Sequence, residues 1–303
     1  MSAVLAFDGV RVSFTTGDSM PPVPAVDGVS LELRRGEIFG IVGESGSGKS
    51  TLANAAMGLL PGNATVSGSI RVNGREIVGL NEAALRAMRG DEMAMIFQDA
   101  SASLDPVWSV GDQIAETVRA HRPVGRAAAR ARAISLMVEV GIPEAAARYH
   151  DVPHRFSGGM RQRIVIAAAL ANDPQLLIAD EPTTALDVTI QAQVLQLIDK
   201  LRRDHGTTVL LITHDLGVVA QICDRVGVMY GGKLLEVAAK AELFAHPSHP
   251  YTRALLAANP TGVPRGARLP VIPAEWSVES LRDAEIKRSR AAPAQPVAGA
   301  ADD

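Results

Sequence analysis

Apolar residues in this chain fall into short unbroken runs, separated by stretches in which they recur every three or four positions. Ile38 to Val42, Leu176 to Ala179, Thr208 to Thr213 and Val226 to Tyr230 are runs of strand length with almost no polar interruption. Strands of that kind are buried on both faces, as in a parallel sheet. The stretches Thr51 to Leu60, Val188 to Arg203 and Leu216 to Ile222 carry helical spacing. Alternation of the two predicts an α/β fold whose mostly parallel sheet is covered by helices.

Two regions depart from the alternation. Near the start, Val4 to Phe14 and Val29 to Leu33 read as strands joined by a loop ending in Pro21-Pro22-Val23-Pro24, and Ser69 to Val72 runs into the hairpin signal Asn73-Gly74. These predict an antiparallel β subdomain. From Gly111 to about Asp173 the spacing is helical, with an Ala/Arg-rich stretch at Arg126 to Ala133 and a helix from Ile134 to Val140 stopped by Gly141 and Pro143. A further helix, Met160 to Ala171, closes this inserted helical subdomain. Residues 1–258 are thus expected to form one domain and 259–303 an extension. In that extension a Gly/Pro/Arg linker at Pro260 to Pro273 precedes a helix at Ser277 to Arg288, and an Ala/Pro/Gly tail from Ala291 is too poor in apolar surface to order itself.

Bulk properties narrow the function classes. The 303 residues are 47% hydrophobic and 21% charged, enough for a substantial core, and the net charge of −3 gives no general attraction to nucleic acid. Arg126, Arg130 and Arg132 are expected to form a solvated helix face. Met1 to Asp8 lacks the basic and apolar segments of a secretory leader, and apolar runs such as Ile164 to Ala171 are far short of the ~20 residues a bilayer requires. Cys223 is the only cysteine, which excludes an iron–sulfur cluster, a zinc–thiolate site and an intramolecular disulfide; core packing is its expected role.

The chemistry concentrates where strands end. Gly43-Glu44-Ser45-Gly46-Ser47-Gly48-Lys49-Ser50 has the form G-x-x-x-x-G-K-S between an apolar strand and a helix, the context a phosphate loop requires. Its glycines let backbone N–H groups converge on phosphate oxygens, with the helix N-terminus adding partial positive charge. Lys49 would reach the β and γ phosphates, Ser50 would face Mg²⁺, and Thr51 would donate to the α-phosphate. The run Leu176 to Ala179 ends in Asp180 and Glu181, which resembles a Walker B motif: Asp180 for the Mg²⁺ shell, Glu181 to orient or deprotonate the attacking water.

The segment Phe156-Ser157-Gly158-Gly159-Met160-Arg161-Gln162-Arg163 resembles the signature motif of ABC-transporter ATPases. Pro182 to Asp187 is similar to that family's D-loop, Gln98 to its Q-loop glutamine at Mg²⁺ and water, His214 to its switch histidine at the γ-phosphate, and Phe14 to its adenine-stacking aromatic. The order of these elements is the family's. The signature's Phe and Met, together with His246-Pro247-Ser248-His249-Pro250-Tyr251-Thr252, resemble the dipeptide/oligopeptide (peptide/nickel) importer branch over about residues 3–260. Many members of that branch carry a C-terminal cysteine cluster, from which this chain departs.

The resemblance implies an ATPase peripheral to the cytoplasmic face of the membrane, working with two integral permease subunits and an extracytoplasmic solute-binding protein, and with no nucleic-acid partner. ATP and Mg²⁺ bound to Phe14, the 43–51 loop, Gln98 and Asp180 of one chain would be capped by Ser157, Gly158, Gly159 and Asp187 of a facing ATPase, identical or paralogous. A soluble ABC ATPase acting on ribosomes or DNA is the alternative; such relatives usually carry two cassettes or long coiled coils, and this chain has neither.

Overall fold

The polypeptide passes twice between sheet and helix before reaching its signature helix. The computed structural model describes residues 3–15, 21–184 and 186–258; the linker, helix and tail expected after 258, and Ala185 of the D-loop segment, lie outside the described residues. Strands β1 (Ala3–Phe14) and β2 (Val23–Arg34) lead to β3 (Ile38–Val42), helix α1 (Lys49–Met57), β4 (Ala64–Val72), β5 (Arg75–Glu76), α2 (Glu82–Met88) and β6 (Met93–Ile96). Helices α3 (Val110–His121), α4 (Arg126–Glu139), α5 (Ala145–Arg148) and α6 (Gly158–Ala169) follow. The chain then returns to alternation with β7 (Leu176–Asp180), α7 (Val188–His205), β8 (Thr208–Ile212), α8 (Leu216–Ile222), β9 (Arg225–Tyr230), β10 (Lys233–Ala239), α9 (Lys240–Ala245) and α10 (Pro250–Ala257).

Two sheets result. One is antiparallel in the order β2-β1-β4-β5; the other runs β10-β9-β3-β8-β7-β6, parallel from β9 to β6 with β10 antiparallel at its edge. The inner strands of the second sheet, β3, β7, β8 and β9, are buried on both faces, and their side chains alternate between two cores. In β3, Phe39 and Ile41 join the core shared with the antiparallel sheet and α1, whereas Ile38 and Val42 join the core shared with the helices. β7 and β8 divide in the same way. Gly40 faces the helical side, where a Cβ would come 2.7 Å from Cys223 Sγ. Cys223 is buried one residue past the end of α8, its thiol pushed up to about 12 chiefly by burial. It packs, and ionises only with difficulty.

Several boundaries differ from the sequence expectation. β2 begins at Val23, so Pro24 is inside a strand rather than in the preceding loop. That position is open to proline because β2 is an edge strand and its outer side needs no amide donor. The Ala/Arg-rich stretch and the helix after it are one helix, α4, since nothing between Ala133 and Ile134 interrupts the hydrogen bonding. Its arginines are not simply solvated: Arg132 pairs with Asp173 at 2.7 Å, and Arg130 lies over the Tyr149 ring at 4.7 Å. The Asn73-Gly74 turn closes the β4–β5 hairpin with both residues at positive φ, as a type I′ turn demands.

Candidate functional site

The parallel strands end on one side of the sheet, and the chain's polar chemistry collects there, as expected for an open α/β sheet. The Gly43–Thr51 loop leaves β3 and enters α1. At Gly43 (φ 156°) a Cβ would collide with the Met229 carbonyl, and at Gly48 (φ 97°) with the Ala25 carbonyl. Glycine is therefore needed at both by close backbone approach as well as by conformation. The Ser47 carbonyl accepts from Gly232 N–H at 3.1 Å, fixing the middle of the loop to the β9–β10 turn. α1 starts without a side-chain cap, leaving its first amides directed at the loop's open side.

Lys49 is buried, its Nζ donating to the carbonyls of Gly43 and Glu44 at 2.8 Å each and to Ser47 Oγ at 3.3 Å. Burial lowers its pKa, and the charges of Glu181, Asp180 and Glu44 only partly oppose that. Ser50, at the second position of α1, donates to Asp180 Oδ1 at 3.1 Å, while Thr51 is half-buried beside it. Ser45 and Gly46 are exposed at the tip.

Asp180 and Glu181 are neighbours with opposite environments. Asp180 is the buried last residue of β7, and burial raises its pKa; the Ser50 hydrogen bond opposes the shift and the Glu181 charge adds to it. Glu181 stands just beyond the strand at φ 48°, held there by its N–H donating to the Ile212 carbonyl at 2.8 Å. Its carboxylate accepts from Gln98 Nε2 at 3.0 Å and Thr184 Oγ1 at 2.8 Å, and lies 2.8 Å from His214 Nδ1. Burial works to raise the Glu181 pKa, but the hydrogen bonds from His214 and Thr184 and the charges of His214 and Lys49 outweigh it, holding the carboxyl below its ordinary value. An ionised carboxylate only accepts, so His214 Nδ1 carries the proton in this contact. Paired groups whose pKa values are driven apart are suited to separate tasks.

Gln98, Glu181 and His214 follow β6, β7 and β8, which are adjacent in the sheet, and so they converge although they are far apart in sequence. Thr184 belongs to the same cluster and had no sequence signal of its own beyond its place in the D-loop segment. Phe14 is half-buried at the end of β1, paired with Val23 and Ala64 and packed on the antiparallel core. It sits one strand from Ala25, whose carbonyl overlies Gly48.

Ser157, Gly158 and Gly159 occupy a different place. Ser157 caps α6 by accepting the Met160 N–H at 3.3 Å, and it and Gly158 are exposed. Gly159 is closed in, since a Cβ would approach Ile190 Cγ2 to 2.6 Å. Asp187 caps α7 by accepting Ile190 N–H at 3.0 Å, so the signature turn and the D-loop segment meet through Ile190. No hydrogen bond described links 157–159 to the chain's own 43–51 loop. The described residues include no cluster of three metal-ligating His, Cys, Asp or Glu side chains, and no helix among them is long and apolar enough to cross a membrane.

Known proteins are similar to this chain in sequence and in fold. Residues 26–184 match the ABC transporter family model. The dipeptide transport ATP-binding protein DppD of Bacillus subtilis is 48% identical over 89% of this chain and 80% of its own length. The oligopeptide transport ATP-binding protein OppD of Salmonella typhimurium is 47% identical over 90% and 81%. Among solved structures, a dimeric ATP-binding cassette in a post-hydrolysis state with ADP and phosphate superposes with a TM-score of 0.69 at 27% identity, covering 78% of this chain and 98% of the other. The chain therefore belongs to the ABC transporter ATPases, the ATP-binding subunits that energise transport, within the group that includes the dipeptide and oligopeptide proteins.

Proposed function

We propose that this chain hydrolyses ATP to drive an importer of dipeptides, oligopeptides or a related small solute, and that each of its sites is completed by a facing ATPase subunit. The observation that carries the reading is the convergence of Gln98, Thr184 and His214 on Glu181, beside the Ser50–Asp180 pair and the Lys49 loop. The 43–51 loop amides and Lys49 bind the phosphates, and Phe14 stacks on the adenine. The hydroxyl of Ser50, the carboxylate of Asp180 and the amide oxygen of Gln98 are hard oxygen donors, a set that suits Mg²⁺. When bound, that ion would neutralise phosphate charge.

Hydrolysis transfers the γ-phosphoryl group to water: a P–O bond to water forms as the bond to the β-phosphate oxygen breaks. Such a reaction asks mainly for positioning and charge stabilisation. The low pKa of Glu181 makes it a weak base, so its main task is to hold and orient the water through its carboxylate oxygens. His214, with Nδ1–H committed to Glu181, donates to the γ-phosphate only in its imidazolium form, in which Nε2 also carries a proton.

The exposed Ser157-Gly158 turn at the α6 N-terminus supplies donors and dipole to a neighbour's γ-phosphate, with Asp187 alongside at the interface. Two permease subunits would anchor the pair at the cytoplasmic face of the membrane, and an extracytoplasmic binding protein would select the solute. Purification from native membranes tests the assembly: integral membrane proteins should copurify with this chain and stimulate its ATPase activity. Ribosome co-sedimentation without membrane partners would overturn the transport role.

A further inference from the structure

Helices α3 to α6 are inserted between β6 and β7, so the backbone joins this subdomain to the ATPase core through residues 97–109 and 170–175. Side chains add ties at its rear. His205, the last residue of core helix α7, has Nε2 2.7 Å from Oε1 of Glu139, the last residue of α4, and Nδ1 2.9 Å from Asp173 Oδ1. Asp173 also takes Arg132 of α4 at 2.7 Å. Thr207 Oγ1 donates to the Pro174 carbonyl at 3.0 Å, which holds the end of α7 opposite Asp173. Arg132, Asp173, His205 and Glu139 thus form a chain of alternating charge across the junction. The His205 and Glu139 side chains are only 14% and 22% exposed, so water screens their contact weakly.

An ionised carboxylate accepts hydrogen bonds and cannot donate, so both contacts are favourable together only if both ring nitrogens carry protons. The imidazolium alone meets that condition. Neutral imidazole has one bare nitrogen, which would face a carboxylate oxygen lone pair to lone pair. Positive charge also suits the C-terminus of α7. The other charges on that end of α7 are engaged with each other, Arg202 and Arg203 with Asp199 at 2.8 and 2.9 Å and Lys200 with Asp204 at 4.0 Å. From α6, Arg163 donates to the Val140 carbonyl at 2.8 Å and to Gln193 Oε1 at 3.0 Å, a second tie to α7. Arginine keeps its charge throughout, whereas histidine is the side chain that exchanges a proton between pH 5 and 8.

We propose that His205 is a proton-dependent latch between the helical subdomain and the ATPase core. As imidazolium it ties Glu139 and Asp173 to α7; on losing a proton it releases one of the two carboxylates, and the subdomain that carries the Ser157–Gly159 turn moves more freely against the core. Cys223 is buried and hard to ionise, so spin labels can be directed in the full chain to Arg126→Cys on α4 and Gln196→Cys on α7, both at exposed positions. Label-to-label distances are then recorded without nucleotide at about pH 5.5 and about pH 8, on either side of the ordinary histidine range. The ratio of docked to displaced subdomain is expected to fall about threefold to tenfold from acid to alkaline conditions, as for one ion pair shielded from water. His205→Asn should be displaced to the alkaline level at both. Glu139→Gln should stay docked at both, because its amide can donate to the bare nitrogen of neutral imidazole. A wild-type distribution that does not change with pH overturns the proposal, and so does a Glu139→Gln chain that still responds as wild type does. If His205→Asn fails to fold, those two measurements decide the matter without it.

Discussion

The Gly43–Thr51 loop and the Ser157–Gly159 turn are both glycine-rich entries to a helix, and they are built in opposite ways. The loop is enclosed: carbonyls of Ala25 and Met229 press on its glycines, Gly232 N–H holds its centre, and Lys49 ties its two limbs together. Its helix has no side-chain cap. The turn has little besides its cap, with Ser157 and Gly158 facing solvent and only Gly159 packed, on Ile190. A surface that must hold a ligand by its own geometry is pre-formed by contacts from several elements. A surface that is completed by another molecule can stay open, its amides satisfied by water and one hydroxyl until they are used.

The widest separation between the two regions is expected from Glu181→Gln. The substitution keeps acceptor and shape but removes the charge that orients water, so the enclosed region should still bind ATP while turnover falls about 10²- to 10⁴-fold. Single-turnover hydrolysis beside nucleotide titration measures both. Near-normal turnover would remove Glu181 from the chemistry and leave the cluster around it as scaffolding.

Ser157→Arg should act in the opposite sense, on the open region alone. The isolated chain should bind ATP as tightly as wild type, whereas the assembled transporter should lose turnover by about 10²-fold, as when a positioned donor to developing charge is removed. Loss of ATP affinity in the isolated chain would mean that the turn serves its own loop, and the division between the regions would collapse.

How far these regions could be read from sequence depends on how local their physics is. The loop was legible because strand, glycines, lysine and helix are consecutive, and the spacing alone imposes the geometry. β3 and α8 were found at their observed limits because their patterns are local: an unbroken apolar run in β3 and helical apolar spacing in α8. The bonds from Gln98 and His214 to Glu181 were not legible as contacts, because they exist only once β6, β7 and β8 lie side by side. β10 escaped notice since it is a half-exposed edge strand with no strong alternation, and α2 since only Leu85 and Met88 of its residues are buried. Tyr251 was visible as part of a family-like segment, but its ring contact with Tyr230 follows from long-range packing that no window of sequence contains.

A smaller effect separates the two carboxylates inside the enclosed region. Glu181 has a lowered folded pKa, so its contribution to stability is present above the ordinary carboxyl value and is lost as pH falls through the lowered one. Asp180, raised by burial, behaves conversely: its contribution is present below the ordinary value and is lost as pH rises through the raised one. His214→Ala removes a hydrogen bond and a charge that hold Glu181 down. The Glu181 midpoint, followed by carboxyl-carbon NMR, should therefore move up toward its ordinary value. An unmoved midpoint would mean that His214 does not engage Glu181 in solution.

The least effect is expected where the open region meets its own helix. Ser157 Oγ accepts one amide at 3.3 Å, near the long end for such a bond, and the side chain is exposed. Ser157→Ala should lower stability to urea by about 1 kcal/mol, and Ser157→Gly by only a few tenths, because glycine leaves the first amides accessible to water. The ordering matters more than the size: it would show that capping is a minor duty of a hydroxyl whose larger duty lies across the interface. A loss well above ~2 kcal/mol for Ser157→Ala would make Ser157 part of the fold's own support. The turn would then resemble the enclosed loop, and openness would no longer mark the surface that a partner completes.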